Sequence, residues 1–272
     1  IAMGNSFAQN ATYAFAPNLY DGKTLLHINI DPDEIGKVYK PTVGLISDIK
    51  PAVIAISKAL EGRVDPRPVT KIVTDKYIDH PLEPTNGSMH PAALSRAISE
   101  MLPENSVILG DAGAHMLWLN CHLSLTKGQL YQNPGSFGPM ASHVNGALGI
   151  KCANPARTVV CGCGDGDYLM AGFELLTAVE YDIPVIWVIF NNGEFNIIKQ
   201  FMVNMYGDHA YMRFANPDYM KYAEACGALG YKAETVEEFK AAFASALASG
   251  RPAVIDAVVE SEVYPPFNMG RV

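Results

Sequence analysis

Residues 185–190 read Val-Ile-Trp-Val-Ile-Phe, an unbroken apolar run. A strand with one wet face alternates apolar and polar side chains, so such a run demands a sheet covered on both faces. Ser106-Val-Ile-Leu-Gly110, Thr158-Val-Val-Cys161 and Ala253-Val-Ile-Asp-Ala-Val-Val259 are short runs of the same kind. Helical stretches lie among them: Pro91 to Leu102, which is amphipathic, Met140 to Lys151, Glu174 to Tyr181, Asp218 to Cys226 and Val236 to Ala248. Alternation of this sort predicts an α/β domain with a doubly wound parallel sheet. In such a sheet, ligands are expected outside the C-terminal ends of the strands.

The texture before His90 is different. Residues 1–60 hold a strand, Thr24 to Ile30, a short helix capped by Asp31-Pro32-Asp33, and a second helix after Pro51, Ala52 to Leu60. This is too short to close a sheet and reads as the C-terminal part of a domain. Ile1-Ala-Met-Gly begins like the middle of a strand, so an N-terminal segment is expected to be missing. Residues 61–87 are rich in proline and charge without a sustained period, which is linker chemistry. Residues 88–272 form the α/β domain.

Charged residues make up only 18% of the chain and the net charge is −8, with no basic run, which argues against a nucleic-acid partner. No apolar stretch approaches the ~18 residues of a membrane span. Five cysteines are an odd number for a disulfide framework, and Cys161-Gly-Cys163 reads as small thiols in a buried strand. A reducing cytoplasm fits.

The chemistry gathers at two strand ends. Gly164-Asp165-Gly166-Asp167 follows one strand, and Asn191-Asn192 closes the next, Asn192 lying 27 positions after Asp165 (192 − 165). Alone, Gly-Asp-Gly is an ordinary β-turn. With one helix and one buried strand between them, both ends open on the same rim and aim a carboxylate and an amide oxygen at one point. Hard oxygen ligands beside glycines that leave room for a bulky ligand describe a Mg²⁺–diphosphate site.

These residues resemble the cofactor signature of thiamine-diphosphate enzymes of the acetolactate synthase and pyruvate oxidase-like family. The resemblance implies that Asp165, the Asn192 side chain and the backbone carbonyl of Glu194 bind Mg²⁺, with Gly164, Gly166 and Asp167 beside the diphosphate. Gly135-Ser-Phe-Gly138-Pro-Met140 is similar to the family's Gly-Leu-Gly-x-Met segment. Gly138 then approaches the cofactor and Met140 is the catalytic wedge that bends it into a V; without the glycines, Met140 would read as core filler. Gly110-Asp-Ala-Gly113-Ala-His115-Met-Leu-Trp118 is similar to the segment Gly-x-His-x-x-Trp, whose loop and His hold the diphosphate. Its alternative is a histidine near a helix start with no ligand. Ile198 and Phe201 match positions that line the substrate pocket, or form an ordinary i, i+3 core pair.

Two departures stand out. His143-Val144-Asn145 replaces an aliphatic residue and proline, and Ala114 stands where Gln is common; His143 either packs on its helix or faces substrate. Residues 1–60 resemble the family's middle domain, which in some relatives holds FAD and in others ADP or nothing. The pyrimidine-binding domain, with its general acid–base glutamate, finds no match here. The resemblance therefore implies a carboligase or decarboxylase acting on a 2-oxo acid, in a homo- or hetero-oligomer. Its site would be completed by a pyrimidine-binding domain from another chain or a missing N-terminal segment. Alternatives are an acyl-CoA decarboxylase or lyase of the same superfamily, disfavoured by a tail with a single Arg, and a non-catalytic cofactor-binding homologue.

Overall fold

The computed structural model describes residues 1–12, 15–63, 88–135 and 137–265. They fall into two compact units, described residues 1–63 in the first and 88–265 in the second. Most of the linker expected at 61–87 lies outside the described residues.

In the first unit, β1 (Ala2–Met3), β2 (Leu26–Asn29) and β3 (Val43–Ile46) form a parallel sheet in the order β1-β2-β3. Asp31 caps the single 3₁₀ turn Pro32–Glu34 by accepting from the Asp33 amide at 2.9 Å. Helix α1 (Ile49–Leu60) starts before Pro51, because Asp48 accepts from the Lys50 amide at 2.8 Å and proline is tolerated in a first turn. Strand β3 was not expected from the sequence. Its residues are all exposed, so no burial pattern marks it.

The second unit runs α2 (Pro91–Met101), β4 (Ser106–Gly110), α3 (Ala114–His122), β5 (Leu130–Gln132), α4 (Ser142–Ala153) and β6 (Thr158–Gly164). There follow α5 (Asp165–Ala171), α6 (Leu175–Glu180), β7 (Val185–Asn191), α7 (Asn196–Tyr206), α8 (Tyr219–Ala225), β8 (Leu229–Ala233), α9 (Val236–Ser249) and β9 (Ala253–Val258). All six strands are parallel, in the order β5-β4-β6-β7-β9-β8.

Two apolar cores cover the two faces, and β7 feeds both. Ile186, Val188 and Phe190 join one with α2 and α9; Val185, Trp187 and Ile189 join the other with α4, α6 and α8. This is why the run 185–190 shows no alternation: each residue faces a core. The edge strands β5 and β8 were missed because their residues are polar-flanked or alternate. From β4 the chain moves outward to β5, then returns to the other side of β4 as β6. The strand order reverses there, opening a crevice at the carboxyl ends of β4 and β6. Among the described residues no helix is long and apolar enough to cross a membrane.

Candidate cofactor site

Strand β6 ends at Gly164 and the chain enters α5 directly, so Asp165-Gly166-Asp167 is a helix first turn and not a β-turn. The single expected helix before β7 is two, α5 and α6, joined by a 3₁₀ turn. Asp165 is buried, 2% exposed. Its Oδ1 accepts from the Gly166 amide at 2.9 Å, and its Oδ2 from the Gly193 amide at 2.7 Å and from Asn216 Nδ2 at 2.8 Å. None of these partners is a cation. Burial raises its carboxyl pKa, and the hydrogen bonds from Asn216, Gly193 and Gly166 pull the other way.

The Gly193 bond joins the two motifs read from the sequence. Asn192 lies on one side of that amide and Glu194 on the other. Asn192 Oδ1 accepts from the Glu194 amide at 3.3 Å, and the Glu194 carbonyl from the Asn196 amide at 2.9 Å. Asp165, Asn192 and Glu194 thus share one loop junction at the carboxyl ends of β6 and β7. The Glu194 side chain itself turns away, buried against Lys199.

Met140 lies in the turn before α4, which starts at Ser142 rather than at Met140. It is 36% exposed. A β-carbon on Gly166 would sit 2.7 Å from Phe195 Cε1 and 3.5 Å from Met140 Cε. A side chain at 166 would have to displace the Phe195 ring, so Met140, Gly166 and Phe195 meet. Gly138 has φ +56° and Ala141 φ +65°, so this turn is left-handed at both positions.

His115 is buried in the first turn of α3. A β-carbon on Gly113 would lie 2.6 Å from its Cε1, and one on Gly164 would lie 3.1 Å from its Nδ1. Both glycines make room for this ring. Burial pushes the imidazole pKa down to about 3, with the Asp111 carbonyl opposing, which favours the neutral ring. Its Nε2 is 3.2 Å from Asp167 Oδ2, without hydrogen-bond alignment. The same oxygen, Oδ2, accepts from the Gly164 amide at 2.8 Å. Asp167 Oδ1 is buried and unpartnered among the described residues. Burial holds the Asp167 carboxyl pKa well up, with the Asp111 and Asp165 charges adding to it.

Several residues were not legible in the sequence. Asp111, fully buried, accepts at Oδ2 from the amides of His143 and Val144, both at 2.9 Å, and so caps α4 from another loop. Asn216 Nδ2 bridges Asp165 and Asn191 Oδ1, each at 2.8 Å, and Tyr219 Oη donates to Asn216 Oδ1 at 2.9 Å. Asn191 Nδ2 in turn reaches Asp256 Oδ1 at 2.8 Å. The helix-start pattern Asn216-Pro-Asp218 was the only local signal, and it pointed to a cap rather than a site. His143 is half-buried, its Nδ1 3.0 Å from Ser142 Oγ. Ile198 is exposed and Phe201 half-buried on α7. Cys161 and Cys163 are buried in β6. Ala114 is buried at the start of α3.

The donor set fits a magnesium–diphosphate unit. One anchored carboxylate, an amide oxygen and a backbone carbonyl are hard ligands, and among the described residues no cationic side chain pairs with Asp165. The unpartnered His115 Nε2 and Asp167 Oδ1 fit a site whose remaining hydrogen bonds go to a polar ligand.

Residues 111–257, more than half of the chain, match the family described as thiamine pyrophosphate enzyme, C-terminal TPP binding domain. Acetolactate synthase from Mycobacterium leprae is 28% identical over 290 residues, covering 99% of this chain and 46% of that protein. The acetolactate synthase isozyme 3 large subunit of Escherichia coli is 28% identical over 263 residues, covering 89% of this chain and 45% of that one. The chain spans about half the length of the curated relatives it matches. Among solved structures, the thiamine diphosphate-dependent 4-hydroxybenzoylformate decarboxylase of Rhodococcus jostii RHA1 superposes with a TM-score of 0.73. It is 21% identical, with 89% of this chain and 45% of that one covered, a likeness of fold.

Proposed function

The chain belongs to the thiamine pyrophosphate enzymes, through their C-terminal TPP binding domain, and on that premise we propose that it holds the diphosphate and Mg²⁺ half of an active site for 2-oxo acids. The observation that carries the proposal is Asp165, a buried carboxylate with no cationic partner among the described residues, tied at 2.7 Å to the amide between Asn192 and Glu194. Asp165, Asn192 Oδ1 and the Glu194 carbonyl would hold the metal. Asn216 fixes the rotamer of Asp165, and Asp111 fixes the start of α4 behind the Met140 turn. When bound, thiamine diphosphate would supply an acidic carbon that, once deprotonated, adds to the substrate carbonyl, and an electron sink for the pair left behind as CO2 departs.

Met140, beside Gly166, offers the bulk that would hold the cofactor bent. His115, buried between Gly113 and Gly164, would stand beside the diphosphate. Ile198 and Phe201 face the choice of acceptor, and the reaction is decarboxylation or carboligation of the acetolactate synthase type. The general acid–base glutamate would come from a pyrimidine-binding domain outside this chain. An exposed apolar band beside the site supports that partner: Leu169 and Met170 on α5, Phe173, and Leu176 on α6 are 41–70% exposed. Residues 1–60 would be the remainder of a middle domain, in which FAD is one expected ligand.

Calorimetric titration of the complete protein with thiamine diphosphate tests this, with and without Mg²⁺. Binding should need the metal, Asp165→Ala should abolish it, and Asn216→Leu should weaken it about 10- to 100-fold. Tight, Mg²⁺-dependent binding by Asp165→Ala would sink the assignment.

A further inference from the structure

Three side chains on one face of α7 reach a single segment of the C-terminal chain. Asn196 Nδ2 donates to the Ser261 carbonyl at 2.6 Å, Lys199 Nζ to Glu262 Oε1 at 2.8 Å, and Gln200 Nε2 to the Pro265 carbonyl at 3.3 Å. Positions i, i+3 and i+4 share a helix face, so residues 261–265 lie along α7 as a strap. The middle contact is unusual. Lys199 is 3% exposed at its side chain and Glu194 fully buried, and Nζ lies 3.1 Å from both Glu194 oxygens. Arg213, largely exposed, flanks the pair, its Nε 3.7 Å from Glu194 and an Nη 3.5 Å from Glu262.

A buried lysine–glutamate pair is a poor source of net stability, because losing hydration offsets the attraction. What it does impose is geometry. Neither charge can leave its partner without a large penalty, which restricts the Glu194 side chain. The backbone on both sides of Glu194 is held as well: the Phe195 amide donates to the Met212 carbonyl at 2.9 Å, and the Phe214 amide to the Gly193 carbonyl at 3.1 Å. Glu194 also follows Gly193, whose amide holds Asp165 at 2.7 Å, and its own amide donates to Asn192 Oδ1 at 3.3 Å.

We propose that Lys199 is a positioning residue: through Glu194 it fixes loop 192–196, which presents the metal donors, and through Glu262 it ties that loop to the strap 261–265. Docking of the strap and binding of the metal–diphosphate unit then stabilise each other, as two events that favour one loop conformation must. The inference rests on the cofactor reading above.

Two measurements on the complete protein test it: backbone hydrogen exchange at residues 193–196 and 261–264, and the Mg²⁺ dissociation constant at fixed thiamine diphosphate. Adding cofactor and metal should slow exchange in the strap as well as in the loop. Glu262→Ala, at an exposed position, should speed exchange in loop 193–196 without cofactor and weaken Mg²⁺ binding several-fold, with little change in Tm. Lys199→Met should weaken it about 10- to 100-fold. Should Lys199→Met fail to fold, Glu262→Ala decides the matter alone. Unchanged loop exchange and unchanged Mg²⁺ affinity in Glu262→Ala overturn the proposal. Absence of Mg²⁺-dependent binding in the wild type would instead fault the cofactor reading. The link between loop and strap would then stand or fall on exchange in the cofactor-free protein.

Discussion

His115 shows how a site residue can be prepared by burial alone. Gly113 and Gly164 admit its ring, and the same enclosure keeps the ring neutral, with a pKa near 3 against 6.5 for a free histidine. The folded pKa is lowered, so above pH 6.5 the group is neutral in both states and costs nothing. As pH falls below 6.5 the unfolded chain takes up a proton that the folded one refuses, and stability drops until pH approaches 3. That loss is up to about 1.4 kcal/mol per pH unit for one proton. Asp165 and Asp167, whose pKa values burial raises, act with the opposite sign. The difference between wild type and His115→Gln is therefore the quantity to read. Urea unfolding of the cofactor-free protein at pH 7 and pH 4.5 should show the wild type losing more stability than the variant. Equal losses would mean that His115 is protonated in the folded state.

At the scale of elements, the site depends on helix starts more than on helices. The α4 N-terminus has no cap within its own sequence: Ala141 is left-handed and offers no side-chain oxygen. Asp111, from the end of β4, accepts from its first amides instead. Asp111→Ala strips a buried cap and leaves those amides unpaired, which should cost about 2 kcal/mol. Chemical denaturation should register the loss. Thiamine diphosphate binding should fall further than stability explains, because the Met140 turn is no longer held. Undiminished stability would mean that α4 is fixed by its packing alone, including the Trp187 Nε1 bond to the Val144 carbonyl at 2.9 Å.

For the whole molecule, the apolar band on α5 and α6 is one surface that the second unit leaves exposed. Phe173 is 70% exposed and Met170 63%, directly beyond the Asp165 turn. If a pyrimidine-binding domain covers it, Met170→Ser with Phe173→Ser should weaken assembly of the complete protein in sedimentation velocity at micromolar concentration. The Tm of this unit should stay within a few degrees. An unchanged sedimentation profile would leave the band without that partner.

What the sequence by itself determined is the architecture of the second unit and the rim on which its chemistry stands. Uniformly apolar strands can be satisfied only by two cores, and the interval from Asp165 to Asn192 spans one crossover of a parallel sheet, which returns both residues to the same edge. Propensity and pattern act over a few residues, and these signals are of that range. The tertiary structure decided the rest. Asp111 capping α4 is a contact over 32 positions, Asn216 holding Asp165 one over 51, and Lys199 pairing with Glu262 one over 63. Each is one or two hydrogen bonds or an ion pair between segments far apart in sequence, made by common residue types. No local period encodes such a bond. It exists only because the strand order brings those loops to the same end of the sheet.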